Sequence, residues 1–393
     1  MTLALGLVGC GNMGTRHLKA LGRLKDCDLL KADLVAVVDS IEATANQAAD
    51  LAYALLGRRP ATYDDLSKVQ ELDAVIVTTP PQQHHEVVSL ALSRGIHVLA
   101  EKPLSVSVRE GREMVALATQ TRRILAVAEN YRRDPMNRLA KALVDNQVIG
   151  QPFLMVQHSF SASGEWVIIS PWRHRKDVGG IALDMGVHYA DLFEYFCGPV
   201  DYIMGASQVV DGIRIGNDGQ QYMADAEDLV LGVLGFKSGT LGSFAMSLAG
   251  RGESAFYRAI YGTRGSLNVG PDRTGRALVV TIREGKADRQ LAESDVWPLI
   301  PHFQLDPVSA RLFEAERIFS YALDWPLVDA NLIAIEQADF FDAVLTDRSP
   351  EVDGLQGLRS VALINALVQA KRTSIVHIDT FLGGADTSLA RED

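Results

Sequence analysis

The sequence predicts an α/β protein in which a doubly wound parallel sheet is followed by an α+β domain with a large, open, mainly antiparallel sheet. In the first third of the chain, short β-branched runs alternate with helix-length segments, which is typical of a parallel sheet with helices on both faces. From Val200 to about Val280, apolar and polar residues alternate between glycines, which indicates antiparallel strands with one open face.

The elements of the first part can be placed in order along the chain. Buried strands are expected at Leu3–Val8, Leu34–Val38, Ala74–Val77, Ile96–Leu99 and Ile124–Val127. A helix is expected directly after the first strand, from about Asn12 to Lys25. We therefore expect a first domain over residues 1–129.

Helical spacing returns in the second part of the chain. A helix is expected over Leu183–Phe196, and further helices carry two apolar faces, formed by Ile333, Phe340 and Val344 and by Val361, Ile364 and Val368. We expect this second domain over residues 130–383, and a loose C-terminal tail over residues 384–393.

Composition argues against several classes of protein. Of the 393 residues, 47% are apolar and 22% are charged, so a large core is expected rather than disorder. The formal net charge of −11 disfavours nucleic acid as a partner, because phosphate binding needs a positive field. No apolar run approaches the ~20 residues of a spanning helix, so no membrane partner is expected.

The cysteines indicate a reducing compartment. Three are present, Cys10, Cys27 and Cys197, and their odd number and wide spacing argue against a disulfide framework or a metal site. The apolar start of the chain lacks the basic region of an export signal and continues into a glycine motif. We therefore expect a cytoplasmic protein.

A glycine-rich hexamer follows the first strand and precedes the first helix. It fits the G-x-G-x-x-G pattern with Gly9, Cys10, Gly11, Asn12, Met13 and Gly14. In this pattern the first glycine permits a tight turn, the second admits a pyrophosphate to the backbone, and the third lets helix and strand pack closely. Free N–H groups at the start of the helix bind the anion. The motif therefore predicts a Rossmann domain with a bound dinucleotide.

Asp39 indicates which dinucleotide is bound. It follows the second strand, twenty-five residues after Gly14. A carboxylate at this place accepts hydrogen bonds from the adenosine ribose and repels a 2′-phosphate. Because Ser40 and Ile41 come next, and not an arginine, NAD is favoured over NADP.

Three later motifs add a resemblance to a known family. The motifs are Thr79-Pro80-Pro81-Gln82-Gln83-His84, Glu101-Lys102-Pro103, and GGIALDMGVHYAD from Gly179 to Asp191. In this order and spacing after a glycine loop, the chain resembles the Gfo/Idh/MocA family, the glucose–fructose and inositol dehydrogenase group. The resemblance covers residues 3 to about 200, and the later sheet and helices match only in style.

Two of these motifs have a chemical argument of their own. Lys102 follows a parallel strand, at the edge where such sheets bind ligands, and Pro103 keeps it extended. Asp184 and His188 are four residues apart on one helix face, where a carboxylate orients an imidazole and stabilises its protonated form. The alternative for Lys102 is a surface lysine. The alternatives for Asp184 and His188 are an exposed pair on the helix or a histidine in the core. A metal site that adds His174 is a further alternative.

The resemblance implies roles for these and other residues, and it implies no metal. Lys102, Asp184 and His188 are the implied catalytic residues, which also contact the substrate. The expected cofactor contacts are Gly9, Gly11, Asn12, Met13, Gly14, Asp39, Thr79, Pro80, His84, Glu101, Lys102 and Asn130. The further substrate contacts are Tyr131, Arg132, Trp172, Arg173 and Lys176.

Two features bear on the substrate. The family commonly has three glycines before the helix of the third motif, and Ile181 takes the third place here, which predicts a narrower pocket or a shifted helix start. The run from Arg173 to Lys176 is dense in cations. It is either a solvated loop or a binding site for an anionic group on the substrate.

We therefore expect an NAD-dependent oxidoreductase that acts on a secondary alcohol or ketone of a sugar, cyclitol or sugar derivative, including an anionic one. Two alternatives remain open. One is a redox-neutral glycoside hydrolase that uses NAD for transient oxidation, and the other is a non-catalytic dinucleotide or sugar sensor. Because the open sheet face must be covered, a homodimer or homotetramer is also expected.

Overall fold

The computed structural model describes residues 2–370 and 374–383, which fold into two compact units. The first unit runs to Arg133 and also includes Leu305–Glu316 and Leu323–Leu358. The other described residues form the second unit. The tail expected over residues 384–393 lies outside the described part of the chain.

The first 133 residues alternate strands and helices. In chain order these are β1 (Leu3–Val8), α1 (Asn12–Asp26), β2 (Ala32–Val38), α2 (Glu42–Leu56), β3 (Ala61–Tyr63), β4 (Ala74–Val77), α3 (Pro81–Ser93), β5 (His97–Glu101), α4 (Val108–Thr121) and β6 (Leu125–Ala128). Each expected strand is present within two residues of its expected bounds. The short strand β3 was not predicted, because three residues give too little periodicity.

The rest of the chain begins with a helix and continues into a series of strands. The elements up to the last strand of this series are α5 (Pro135–Asp145), β7 (Pro152–Phe160), α6 (Gly180–Cys197), β8 (Val200–Gln208), β9 (Ile213–Ile215), β10 (Gln221–Met223), β11 (Leu229–Phe236), β12 (Leu241–Ser247), β13 (Ala255–Gly262), β14 (Gly265–Val269), β15 (Val279–Glu284) and β16 (Ala287–Gln290). They are followed by α7 (Glu293–Val296), α8 (Pro307–Leu312), α9 (Trp325–Thr346), α10 (Gly354–Gln369), β17 (Val376–His377) and α11 (Ile378–Gly383).

The sheet of the first unit is parallel throughout and has the strand order β3-β2-β1-β4-β5-β6. Its central strands are buried, as expected for a sheet with helices on both faces. The chain runs outward in opposite directions from β1 and β4, so these neighbours form the topological switch point. Ligands bind outside the carboxyl ends of the strands at such a point.

The first unit regains a late part of the chain because α9 packs on α1. Arg16 donates from Nε to Asp329 over 2.7 Å, and Arg23 donates to the side chain of Asn331 over 3.0 Å. The sequence predicts a second domain over residues 130–383, which includes these late residues. The unit bounds differ because α9 buries its apolar side chains against the first unit, which a pattern of spacing cannot show.

The second unit is built on a nine-stranded sheet of order β16-β15-β14-β13-β7-β12-β11-β8-β17. All its neighbouring pairs are antiparallel except β7 and β12. One face packs against α6, where the ring of Phe193 lies 6.1 Å from Phe236 and 6.3 Å from Phe244. The expected mainly antiparallel sheet is confirmed, and β7 adds a central strand that was not predicted.

The opposite face of this sheet carries exposed apolar side chains, and we call it the open face. Strand register places them on one surface, since Met204 pairs with Val233, Leu231 with Ala245, and Leu241 with Leu154. The members of this set are between 39% and 46% exposed: Met204, Leu231, Val233, Leu241, Tyr257 and Val279. Exposed apolar side chains that share one surface often mark an interaction site.

Across residues 2–370 and 374–383, no helix has both the length and the apolar character that crossing a bilayer requires.

Candidate active site

The parallel sheet brings five sequence-predicted segments to one edge of the first unit. The glycine loop follows β1, Asp39 follows β2, Thr79 follows β4, Lys102 follows β5, and Asn130 follows β6. All of these strands run in the same direction, so the segments lie along the carboxyl edge of the sheet. These five segments therefore share the edge at which parallel sheets bind ligands.

The glycine loop has the geometry that pyrophosphate binding requires. Gly9 has a φ of 91°, and a Cβ on Gly14 would lie 2.3 Å from the carbonyl oxygen of Gly9. A Cβ on Gly11 would meet no atom within 4 Å. Gly9 and Gly14 therefore close the turn against α1, while Gly11 leaves open space beside the backbone. Asn12 and Met13 form the first turn of α1 beside this space, where N–H groups attract an anion.

Asp39 connects the second strand to the glycine loop. Its Oδ2 accepts from the backbone N–H of Cys10 over 2.8 Å, and its Oδ1 accepts from that of Ile41 over 2.9 Å. Each carboxylate oxygen has a second lone pair, so both remain able to accept from ribose hydroxyls. Cys10 itself is buried, and burial beside Asp39 raises the pKa of its thiol to about 12, so it is an inert loop residue.

The segment after β4 contains one buried polar atom that lacks a partner. The hydroxyl of Thr79 is buried and makes no hydrogen bond within the described residues. Pro80 then caps α3, and the ring of His84 lies 2.9 Å from the carbonyl oxygen of Pro103 and 2.8 Å from that of Thr79. Thr79 is therefore suited to meet a dinucleotide. His84 is fully buried and holds two loops together, so its expected contact with the cofactor stays a prediction.

Glu101 is buried directly beside Lys102. Its Oε2 accepts from the backbone N–H of Lys102 over 3.1 Å, and its Oε1 lies 2.8 Å from Nε2 of His17. Burial alone would raise the pKa of Glu101, but the hydrogen bond to His17 and the charges of Lys102 and Arg16 hold the pKa below its ordinary value. Glu101 is therefore a buried carboxylate beside the backbone of Lys102, the predicted catalytic lysine.

Asn130, Tyr131 and Arg132 continue the carboxyl edge after β6. Asn130 and Arg132 are buried, and Tyr131 is half-buried at the start of a single 3₁₀ turn. The turn is held by the side chain of Glu129, whose Oε1 accepts from the backbone N–H of Tyr131 over 2.9 Å. Their expected contacts with cofactor and substrate remain predictions.

In the second unit, α6 carries the predicted Asp184 and His188 one turn apart. Both side chains are buried, at 5% and 4% exposure, so the exposed-pair alternative is wrong. The helix begins at Gly180, and Ile181 is fully buried. Ile181, which stands where the family commonly has a third glycine, therefore lies inside α6, and its side chain is part of the core.

Asp184 has a partner that sequence analysis did not pair with it. Arg173 donates from Nε to Oδ2 of Asp184 over 2.9 Å and from Nη1 to Ser170 over 2.7 Å. The same guanidinium lies 4.4 Å from the ring centroid of Trp172. Arg173 thus contacts both Trp172 and Asp184, and the spacing of eleven residues between Arg173 and Asp184 gives no signal for their pairing.

The remaining cations of the run are also paired. Arg175 binds Asp177 over 2.7 Å, and Lys176 binds Glu227 over 2.7 Å. Arg175 and Lys176 are exposed, as the solvated-loop alternative requires. Arg173 faces Asp184 in the same way. Each of the three cations in the run from Arg173 to Lys176 that could bind an anionic substrate therefore faces a carboxylate.

The metal alternative has no support from the placement of His174. This side chain is buried, its Nε2 accepts from the backbone N–H of Ile168 over 2.9 Å, and burial and nearby Arg214 lower its pKa to about 4. Within the described residues, the group whose potential ligand atoms lie within 4.8 Å of one another consists instead of His17, Glu101 and Glu336. Two cations act on that cluster, so its charge is already balanced in part.

A doubly wound parallel sheet with a glycine loop at its switch point is typical of the dinucleotide-binding α/β proteins. Residues 3–129 match the description "Oxidoreductase family, NAD-binding Rossmann fold", and residues 137–268 match the "GFO/IDH/MocA C-terminal domain". The chain therefore belongs to the Gfo/Idh/MocA family of oxidoreductases, and its cofactor is NAD.

Individual relatives agree with this assignment. The chain is similar to an inositol 2-dehydrogenase of Rhizobium meliloti, with 29% identity over 213 residues, or 54% of this chain and 60% of that protein. It is also similar to a levoglucosan dehydrogenase of Pseudarthrobacter phenanthrenivorans, with 26% identity over 88% of this chain and 94% of that protein. A crystal structure of an NAD binding oxidoreductase from Klebsiella pneumoniae shares the fold with a TM-score of 0.79 and 24% identity, over 96% of this chain and 99% of that one.

Proposed function

We propose that this chain is an NAD-dependent dehydrogenase of a secondary alcohol on a sugar, cyclitol or related polyol. The observation that carries the proposal is the placement of Lys102, which directly follows β5 on the carboxyl edge that also holds the glycine loop. The relatives described above, which are named for inositol and levoglucosan, support a polyhydroxylated substrate.

Each proposed role follows from the chemistry of one side chain. His188 is the general base that removes the proton of the hydroxyl group. Asp184 fixes the orientation of His188 and stabilises its protonated form. Lys102 donates a hydrogen bond to the reacting oxygen and stabilises its developing negative charge. NAD, when bound, supplies the hydride-transfer chemistry.

A neutral substrate fits the charges better than an anionic one. Arg173 is bound to Asp184, and Lys176 is bound to Glu227, so an anionic group that approaches either cation also meets the negative charge of the paired carboxylate. We therefore propose a neutral polyol and keep the anionic derivative as the alternative.

The test is a screen of polyols, matched pairs of neutral and acidic sugars, and aryl glycosides. We expect NADH formation with a neutral polyol, and a higher kcat/KM for the neutral member of each pair. Aryl glycoside cleavage without added cofactor and without net NADH formation would favour the hydrolase. Binding of sugar and NAD without any turnover would favour the sensor, and either of these results would overturn the proposal.

The choice of NAD over NADP depends on Asp39. Asp39→Ala is expected to weaken NAD binding by roughly 10- to 100-fold, because hydrogen bonds to a charged group are lost. It should also reduce discrimination against NADP. Asp33→Ala is a suitable control, since this exposed aspartate on β2 pairs with Arg58 and lies outside the glycine loop. Equilibrium titration with both dinucleotides measures the effect, and a wild-type preference for NADP would contradict the assignment.

We propose that a second copy of the chain covers the open face, as a homodimer or within a homotetramer. The double variant Leu231→Lys, Val233→Lys is expected to give the mass of the 42.8 kDa monomer or half the wild-type mass in analytical ultracentrifugation. Leu355→Lys is the control, because Leu355 is 52% exposed in the first unit. A monomeric wild type, or an unchanged mass for the double variant, would contradict the proposal.

We also propose that the protein works in the cytoplasm. The three cysteines support this location, since none of them forms a disulfide within the described residues.

A further inference from the structure

His17 is a buried histidine that the proposed chemistry does not use directly. It lies on α1, three residues beyond Gly14, and its side chain is fully buried in the first unit. Nε2 of the ring lies 2.8 Å from Oε1 of Glu101, and Nδ1 lies 3.0 Å from Nε2 of Gln337 on α9. A polar side chain with both nitrogens engaged inside a core has a specific orientation.

The hydrogen bonds of Gln337 determine which ring nitrogen carries the proton. The amide nitrogen of Gln337 donates to the backbone carbonyl of His17 over 3.1 Å, and a carbonyl can only accept. The amide NH₂ group therefore faces His17, and its second N–H points to Nδ1 of the ring. Nδ1 must then accept, so Nε2 carries the proton and donates it to Glu101.

This arrangement engages both oxygens of the Glu101 carboxylate. Its Oε1 accepts from His17, and its Oε2 accepts from the backbone N–H of Lys102. The chain of contacts runs from Gln337 through His17 and Glu101 to Lys102, whose side chain acts in the proposed function.

We propose that His17 is a positioning residue for Lys102, which acts by holding Glu101 as an oriented carboxylate beside the lysine backbone. The inference rests on the proposed function, because it assigns Lys102 a role in the reaction. Its structural part, the proton on Nε2 of His17, stands on the hydrogen bonds alone.

Charges on two helices face this pair. Arg16 on α1 acts on Glu101 and Glu336, and it is itself bound to Asp329 on α9. Lys102 is the second cation beside Glu101. Loss of the hydrogen bond from His17 removes one of the influences that lower the pKa of Glu101, so this pKa rises and the carboxylate becomes protonated at a higher pH.

The first experiment compares two substitutions at one position. His17→Leu removes the donor, whereas His17→Gln places an amide N–H near the position of Nε2. For the leucine variant we expect kcat/KM to fall by roughly 10- to 100-fold, and the acidic limb of its pH profile to move to higher pH. The glutamine variant should recover most of the activity and the wild-type acidic limb. NAD affinity should change little in both.

The control for this comparison is His97→Leu. His97 is half-buried at the start of β5, at the amino end of the sheet, where its Nδ1 accepts from the backbone N–H of Ile124 over 3.0 Å. The His97→Leu substitution should leave the pH profile of kcat/KM unchanged. Equal losses in the leucine and glutamine variants of His17, or an acidic limb that does not move, would overturn the positioning role.

The second experiment does not depend on turnover. Long-range ¹⁵N–¹H correlation spectra of the full-length protein at neutral pH distinguish the two neutral tautomers of histidine, and the His17→Gln variant identifies the signal. We expect a proton on Nε2 and none on Nδ1. A proton on Nδ1 would overturn the inference even in an active enzyme. The expected tautomer in a protein that oxidises no polyol would instead refute the proposed function alone.

Discussion

His188→Ala is expected to lower kcat by ~10²–10⁴, the range for a positioned acid–base group. The substitution removes the group that we propose takes the hydroxyl proton, and this group lies at a buried position on α6. NAD affinity should stay close to that of the wild type, because the glycine loop and Asp39 belong to the first unit. Steady-state kinetics with a separate NAD titration measure both quantities.

Further variants show whether His188 acts with Asp184. Asp184→Asn keeps the shape of the side chain and removes the charge that we propose supports protonated His188. If the two residues act as one unit, the double variant should be little worse than the worse single variant. His302→Ala is the control, since this histidine is exposed in the second unit. A near-normal kcat for His188→Ala would return that residue to a structural role in the core.

Asp228→Leu is expected to destabilise the second unit by about 3–5 kcal/mol, the cost of leaving a buried charge without its partner. Arg214 is fully buried and donates to Asp228 over 2.6 Å. Asp228 also accepts from the backbone N–H groups of Val210 and Asp211 over 2.7 and 3.1 Å. The substitution therefore removes the counter-charge and leaves two further donors unsatisfied.

The measurement is the midpoint of unfolding by heat or denaturant, and the unfolding is monitored with a probe located in the second unit. Asp288→Leu serves as the control, because Asp288 and its partner Arg283 are both more than half exposed, and such pairs add little to stability. A shift for Asp228→Leu as small as that for Asp288→Leu would show that Arg214 has found another partner.

The parallel sheet could be predicted because each of its main strands is a short, uninterrupted apolar run. The strands β1 and β4 have the expected bounds, and the others differ by a residue or two at their ends. The nine-stranded sheet was harder to predict. Strand β7 lies at its centre and has polar residues on both faces, including Gln157 and His158, so its pattern does not resemble a buried strand.

The candidate site could be predicted where a motif fixes a backbone shape or a strand end. Gly9, Gly14 and Lys102 are examples, because each depends on its immediate neighbours in the sequence. The partners of the charged groups could not be predicted. Arg173 binds Asp184, and His17 binds Glu101 and Gln337, across 11, 84 and 320 positions of the chain. Such pairings depend on packing between elements and leave no local signal.

The late segment of the first unit determines when that unit can complete its folding during synthesis. A ribosome that has completed β6 must add about 225 more residues before α9 and the start of α10 are available to that unit. At ~5–20 residues per second this delay is roughly 10 to 45 s. Until then α1 lacks its cover and His17 lacks Gln337. A nascent chain that ends before α9 therefore lacks the contact between Gln337 and His17 that the complete first unit contains.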